Sequence, residues 1–228
     1  MDRQRHLLIF LIIMLGLTTS AWAQGYRRTT VVRHQHGPRQ QSKPSPFQFV
    51  LEGGGSSPLG DLGADYIGTE KGFGAQTGYE LGARLRYFIG PTTAVGPAFH
   101  YTKFGSWDGV YQDEAYQIST RVLRYGLDIQ QFLAPAKAVV RPYITLGVAL
   151  CNNRYEDWAQ YSGTFETSTN DFAFGAGGGL VMGPIELSAF YNYNEVDNRV
   201  LADAWDLDSS IFDWSYWVFR AGIAFGGP

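Results

Sequence analysis

From Phe47 onward, apolar and polar residues alternate with a period of two, the pattern of a strand with one apolar and one polar face. Eight strands are predicted: Phe47–Gly54, Tyr79–Ile89, Ala94–Phe104, Tyr116–Leu133, Val139–Asn152, Asp171–Met182, Ile185–Asn194 and Tyr216–Gly226. In the second, Tyr79, Leu81, Ala83, Leu85 and Tyr87 share one face, and Glu80, Gly82, Arg84 and Arg86 the other. The fourth sets Leu123, Tyr125, Leu127 and Ile129 against Arg124, Gly126, Asp128 and Gln130. The seventh sets Ile185, Leu187, Ala189, Tyr191 and Tyr193 against Glu186, Ser188, Phe190 and Asn192. In the eighth, Trp217, Phe219, Ala221, Ile223 and Phe225 oppose Arg220 and Gly222.

The connections alternate in length. Short turns, each with a proline, join strands two and three (Gly90–Thr93), four and five (Ala134–Ala138) and six and seven (Gly183-Pro184). Proline presets φ for such turns. The other four connections are long, polar and acidic, among them "NRYEDWAQYSGTFETSTN" and "EVDNRVLADAWDLDSSIFDWS". All short turns at one end and all long loops at the other is the layout of an all-β, eight-stranded antiparallel up-and-down transmembrane β-barrel. A soluble lipocalin-like periplasmic carrier is the inverse solution, with the apolar face lining a ligand cavity.

The N-terminus bears on that choice. Arg3 and Arg5 precede an apolar run, Leu7 to Leu17, which ends before Ala21-Trp22-Ala23. This is the pattern of a secretory signal peptide and is too short to span a bilayer. Residues 1–23 are therefore expected to be a signal peptide. Residues 24–46, rich in arginine and free of acid, are expected to be a basic disordered tail on the periplasmic side, and residues 47–228 the barrel. Export favours the apolar face toward lipid and the charges inside. Cys151 is the single cysteine, so no intrachain disulfide forms.

Charge placement follows the same division. From Phe47 the chain has 20 Asp and Glu, of which 16 fall in the long connections or their margins. The other four, Glu52, Glu80, Asp128 and Glu186, lie on inward faces with Arg84, Arg86, Arg124 and Arg220. Buried charge is tolerated when it is paired and hydrogen-bonded, so these eight residues are expected to form an interior charge network. Lys103 and Arg121 point outward near the loop end, where long basic side chains reach lipid phosphates. They are candidates for a lipopolysaccharide contact.

The run "FGAGGGLV" (Phe174–Val181) raises the question of a phosphate loop. Such a loop places its glycines between a strand and a helix N-terminus. Here Gly175, Gly177 and Gly179 alternate on the inward face and another alternating strand follows. They are expected to make room for large inward neighbours such as the arginines opposite.

With the signal peptide, "RPYITLGVAL" (Arg141–Leu150), "FGAGGGLV" and the aromatic final strand "YWVFRAGIAF" (Tyr216–Phe225), the chain resembles the small eight-stranded outer-membrane barrels. These are grouped as the outer membrane protein β-barrel domain, with OmpA-, OmpX- and OmpW-like members and porin-family relatives from Bacteroidetes. The resemblance covers nearly all of Phe47 to Pro228. It implies an integral protein of the bacterial cell outer membrane, inserted by the barrel assembly machinery and surrounded by lipid and lipopolysaccharide. Members usually end on an aromatic residue, whereas Phe225 is followed by Gly226-Gly227-Pro228. Pro97 falls within the third strand, which requires a position near the periplasmic end or a bulge.

An eight-stranded barrel is just wide enough to be filled by side chains. A non-enzymatic structural or surface-interaction role is expected, carried by the long acidic, aromatic-rich extracellular loops. Lateral transport of small hydrophobic molecules, as thought for OmpW-like relatives, is an alternative, as is a lipid A-modifying enzyme. Such an enzyme needs a Ser–His pair with an orienting carboxylate at the lipid-facing rim. His100, expected to face inward, lies in "HYT", without the His-x-Ser pattern of the deacylases. Trp107 and Trp217 are expected in an interfacial belt, while Trp205 and Trp214 fit a belt or a binding surface. Asp203, Asp206, Asp208 and Asp213 cluster, but their spacing matches no EF-hand loop. No cofactor, metal or nucleic acid is expected, and the protein is expected to be a monomer.

Overall fold

The structure, a computed structural model, describes residues 45–65, 72–111 and 114–227. The expected signal peptide and nearly all of the basic tail lie outside the described residues. Within Pro44–Pro228, eight strands close an antiparallel ring: β1 (Phe47–Pro58), β2 (Gln76–Phe88), β3 (Thr93–Gly105), then, after a short β4 (Trp107–Tyr111), β5 (Glu114–Phe132), β6 (Val140–Ala159), β7 (Gly163–Met182) and β8 (Ile185–Asp197), and finally, after a short β9 (Ile211–Asp213), β10 (Tyr216–Gly226). Each ring strand pairs with the next, and β10 pairs with both β8 and β1, so the expected up-and-down barrel is the fold observed.

Alternation along the strands sorts the two walls. Phe49, Leu51, Leu81, Leu85, Phe99, Leu127, Leu187, Phe219 and Ile223 are exposed on the outside, while Glu52, Glu80, Arg84, Arg124, Asp128, Glu186 and Arg220 are buried inside. Large side chains left uncovered around a whole ring would be untenable in water, because a soluble monomer exposes only small contiguous apolar patches. The apolar wall is the outer one, as lipid requires. A lipocalin-like carrier needs the opposite arrangement.

Turn chemistry fixes the short end. Gly183 has φ +60°, which glycine adopts without a steric cost, and Gly183-Pro184 closes β7 onto β8 in two residues. Pro97 lies opposite Leu127, five residues into β3. The β2–β3 ladder holds at Arg84↔Ala98 and resumes at Tyr87↔Val95, so the proline falls in a gap in the pairing near the short-turn end.

The long-loop end differs from the expectation of loops alone. β6 and β7 each run for 20 residues and are joined by residues 160–162, so most of "NRYEDWAQYSGTFETSTN" is strand. Thr164, Phe165, Thr167 and Thr169 favour extended backbone, although the segment lacks the apolar alternation that marks a buried face. β7 pairs with β8 only from Ala173 onward, so its first residues, with the upper parts of β5 and β6 and with β4, form a sheet that overruns the ring. At about 3.3 Å per residue, some seven extra residues carry it roughly 20 Å along the strand direction. Two short helices complete this end: α1 (Gly60–Gly63) after β1 and α2 (Arg199–Ala204) after β8. Asn198 caps α2 by accepting the Leu201 N–H at 3.0 Å. Among the described residues, no helix is long and apolar enough to cross a membrane, which says nothing of spanning by strands.

Candidate functional site

The barrel interior has three levels. At the short-turn end, Phe88, Ala94, Phe132, Tyr143 and Val181 pack together. The Arg141 guanidinium lies 4.2 Å from the Phe132 ring centre and that of Arg86 lies 5.7 Å away. Cation–π attraction of this kind strengthens when the cation is desolvated.

The middle level is ionic. The structure brings all eight expected interior charges into one connected set. Glu186 Oε1 accepts from Arg84 Nη2 and Arg86 Nη2, each at 2.6 Å, and from the Tyr143 hydroxyl. Arg84 also donates to Glu52, and Arg86 Nη1 donates to Gln48 Oε1 at 2.8 Å. Arg220 Nε donates to Glu80 Oε1 at 2.5 Å, and its Nη1 lies 3.9 Å from Glu52. Thr102 donates to the second oxygen of Glu80 at 2.8 Å. Arg124 Nη2 donates to Asp128 at 3.1 Å.

His100 joins the Arg124–Asp128 pair to the rest. Its Nε2 is 2.6 Å from Glu52 Oε1 and its Nδ1 is 3.2 Å from Arg124 Nη1. An arginine can only donate, so Nδ1 is the acceptor and the ring proton sits on Nε2, directed at Glu52. Both nitrogens are thus committed to structural partners. Two residues essential to this level are absent from the expected set: His100 as a bridge and Tyr143 as a donor. Arg141, the fifth inward arginine, is also missing from that set. Its parity with Tyr143 in the fifth predicted strand was the signal that could have identified it.

The glycine run is explained by aromatic neighbours. A Cβ on Gly175 would lie 2.1 Å from Phe190 Cε1; one on Gly177 would meet the Ala189 carbonyl oxygen at 2.3 Å and Phe190 Cδ2 at 2.8 Å, and one on Gly179 the Leu187 carbonyl oxygen at 2.4 Å and the Tyr143 hydroxyl at 2.7 Å. The space expected for arginines belongs here to Phe190 and Tyr143. The glycine that yields to an arginine is Gly147, where a Cβ would sit 2.5 Å from Arg124 Nη2. Phe190 in turn lies between Arg124 and Arg220, whose guanidinium carbons are 5.1 and 5.0 Å from its ring centre.

The third level closes the long-loop end. Phe73, from the β1–β2 connection, is the hub of an aromatic cluster with ring-centre distances of 5.0 Å to Trp214, 5.3 Å to Trp205, 5.4 Å to Phe212 and 5.5 Å to Tyr155. Leu62 of α1 and Leu201 and Ala202 of α2 are buried in the same core. Asp61 ties the two loop segments by accepting the Asp213 N–H at 2.8 Å. Trp205 and Trp214 are therefore part of this cap and not of a belt or an exposed binding surface. Trp107, expected in the belt, also packs against the cap, over Gly74. Trp217 is on the outer wall, 5.2 Å from Tyr191. Among the described residues, no group of His, Cys, Asp or Glu is arranged to hold a metal ion, and the acidic loop residues are not gathered around one point.

Lys103 and Arg121 occupy facing positions on β3 and β5, on the outer wall. Their chain neighbours Thr102 and Val122 are fully buried in the interior.

No protein-family model matches the chain, and no curated protein sequence matches it. Among solved structures it is similar to Neisserial surface protein A, at 16% identity over 80% of this chain and 98% of that one, with a TM-score of 0.47. It is similar to Ail, the attachment invasion locus protein of Yersinia pestis, at 18% identity over 79% and 99%, with a TM-score of 0.48. The N-terminal β-barrel domain of Pseudomonas aeruginosa OprF matches at 13% identity over 80% and 100%, with a TM-score of 0.44. At these identities the likeness is one of fold alone. The closed ring, its apolar exterior and its charge-filled interior define the class: this is an eight-stranded antiparallel transmembrane β-barrel.

Proposed function

We propose that the protein is a non-enzymatic barrel of the bacterial outer membrane that works through the surface it presents outside the lipid and not by passing solutes. The filled interior carries this reading. A channel would have to cross the Arg141–Phe132 stack, the ionic level and the aromatic cap, each buried and packed from wall to wall. What remains for function is the exterior, and the overrunning sheet of β4 to β7 is its largest element. The short turns and the N-terminal tail then lie in the periplasm. The surroundings are outer-membrane lipid and lipopolysaccharide, and insertion depends on the barrel assembly machinery.

Two alternatives fit less well. Lateral passage of small hydrophobic molecules needs a lumen that opens between strands, whereas all eight seams of the ring are laddered, with a two-residue gap in β2–β3 beside Pro97, and the interior behind them is filled. A lipid A-modifying enzyme needs a histidine at the lipid-facing rim with one nitrogen free for a nucleophile, while His100 is buried between Glu52 and Arg124. The test is reconstitution of the full chain in liposomes and planar bilayers. Neither solute-driven swelling nor discrete conductance steps are expected, and either one would refute the closed-barrel reading. Replacing residues 158–164 by a short turn, which spares Tyr155 and Phe165 of the cap, should leave folding intact and abolish the contacts that intact cells make through this protein. Unchanged contacts would remove the sheet from the proposal.

A further inference from the structure

We infer that Lys103, Arg121 and Arg154 form one phosphate-binding site on the outer wall, taking the phosphate of an anionic glycolipid headgroup in the outward-facing leaflet. The inference rests on the membrane placement proposed above and adds a third residue, from a third strand, to the two legible in the sequence.

The register makes the case. Lys103 is the direct partner of Arg121, and Arg121 is the direct partner of Arg154. Neighbouring strands lie about 4.8 Å apart, so three cationic side chains leave the wall side by side within a span of roughly 10 Å. Like charges directly opposite across a ladder repel, which is a cost without a shared counter-ion. Among the described residues, neither Lys103 nor Arg121 has an acidic partner, and Arg154 alone has one, Glu166. An anion seated over the row removes the repulsion. A phosphate suits it, because arginine presents a planar fork of donors and lysine a compact point charge.

Height identifies the source of that phosphate. Outward positions below the row are apolar on two strands, Phe99 and Tyr101 on β3 and Tyr125 and Leu123 on β5, while on β6 the polar Asn152 lies between Arg154 and the apolar Leu150. Outward positions above it are Gly105, Ser119 and Glu156. Lys103 and Arg121 stand where β3 and β5 change from apolar to polar, and Arg154 one outward position above that change on β6; this is headgroup level, where long stems lie along the wall while the heads meet the phosphates.

The experiment uses the full chain in phosphatidylcholine nanodiscs doped with lipid A, either bis-phosphorylated or dephosphorylated, with co-purifying lipid A measured by mass spectrometry after detergent extraction. Phosphorylated lipid A should be retained about tenfold or more over the dephosphorylated form. The triple variant Lys103→Gln/Arg121→Gln/Arg154→Gln should fall to the dephosphorylated level, with Lys137→Gln, in a short turn, as control. Single variants, checked for folding by heat-modifiable gel mobility, should each lose part of the retention if the triple fails to fold. Equal retention of the two lipids, or unchanged retention by folded variants, would overturn the site. Equally tight binding of inorganic phosphate alone would overturn the lipid as its source. A wild-type chain that does not insert into any bilayer would refute the membrane placement, and the site with it.

Discussion

Phe190 fills the space that a side chain at Gly175 would need: a Cβ there would come within 2.1 Å of Cε1 of the ring. The two residues lie on adjacent strands, and the ring is further held between Arg124 and Arg220. Gly175→Val should therefore destabilise the barrel by about 1–3 kcal/mol, the usual cost of overpacking. Phe190→Ala alone should also destabilise it, but the pair Gly175→Val/Phe190→Ala should cost less than the sum of the two. Urea unfolding in micelles, followed by gel mobility, measures all three. Strict additivity would show that the residues do not share this space.

Glu80 and Arg220 are each almost wholly buried and bond at 2.5 Å across the sequence. Removing one member of a buried pair strands the other, at a typical cost of about 3–5 kcal/mol, whereas removing both is far milder. Glu80→Leu should lower the unfolding midpoint sharply, and Glu80→Leu/Arg220→Met should recover much of the loss. A double variant as unstable as the sum of the singles would mean that the pair is not the interacting unit.

The tryptophans divide by environment. Trp217 is 40% exposed on the lipid wall, while Trp214 is 1% exposed in the cap. Brominated acyl chains should quench emission that Trp217→Phe removes and leave the Trp214 contribution nearly untouched. Trp214→Ala should destabilise the loop end by about 3–5 kcal/mol, as large aromatic truncations do. Strong quenching of Trp214 would contradict the closed cap.

Acid should loosen the β6–β7 turn. Outside the membrane, the Glu114 carboxylate accepts the backbone N–H groups of Tyr161 at 2.7 Å and Ser162 at 3.0 Å. Led by the Tyr161 bond, these contacts hold its pKa below the ordinary 4.5. A depressed carboxyl stabilises the folded turn above its unfolded pKa, and the contribution is lost as pH falls through the folded value. Protection of the Tyr161 and Ser162 amides, measured against their intrinsic exchange rates at each pH, should fall below about pH 4.5, and Glu114→Gln should show the reduced protection at neutral pH with little further change in acid. A turn whose protection ignores both pH and the substitution would exclude this anchor.

The barrel wall was legible because lipid on one side and charge on the other impose strict alternation. Tyr79 to Tyr87 show it almost residue by residue. The interior charges followed from the same parity, but their partners did not. Glu186 meets Arg84 and Arg86 from 102 and 100 residues away, a distance that local pattern does not encode. The upper parts of β6 and β7 were hidden for another reason: above the lipid nothing enforces an apolar face, so Glu156, Glu166 and Ser168 read as loop. The cap was hidden similarly. Phe73, Trp205 and Trp214 come from non-periodic segments, and only the fold gathers them. The outward cations were visible one at a time, while the row needed the register of three strands.

The ionic level also has a meaning for assembly. Its members enter the chain far apart: Glu52 on β1, Arg84 and Arg86 on β2, Glu186 on β8 and Arg220 on β10. Until β10 meets β1, Arg84 and Arg86 on β2 lack Glu186 and Glu80 lacks Arg220, while the last strands carry the matching groups unpaired. An unsealed sheet would face hydrocarbon with naked charge as well as bare backbone at its edges, and each is costly there. Sealing the final seam cancels both at once. The network thus acts as a latch that penalises half-inserted forms and leaves the chain two well-populated conditions, outside the bilayer or shut within it.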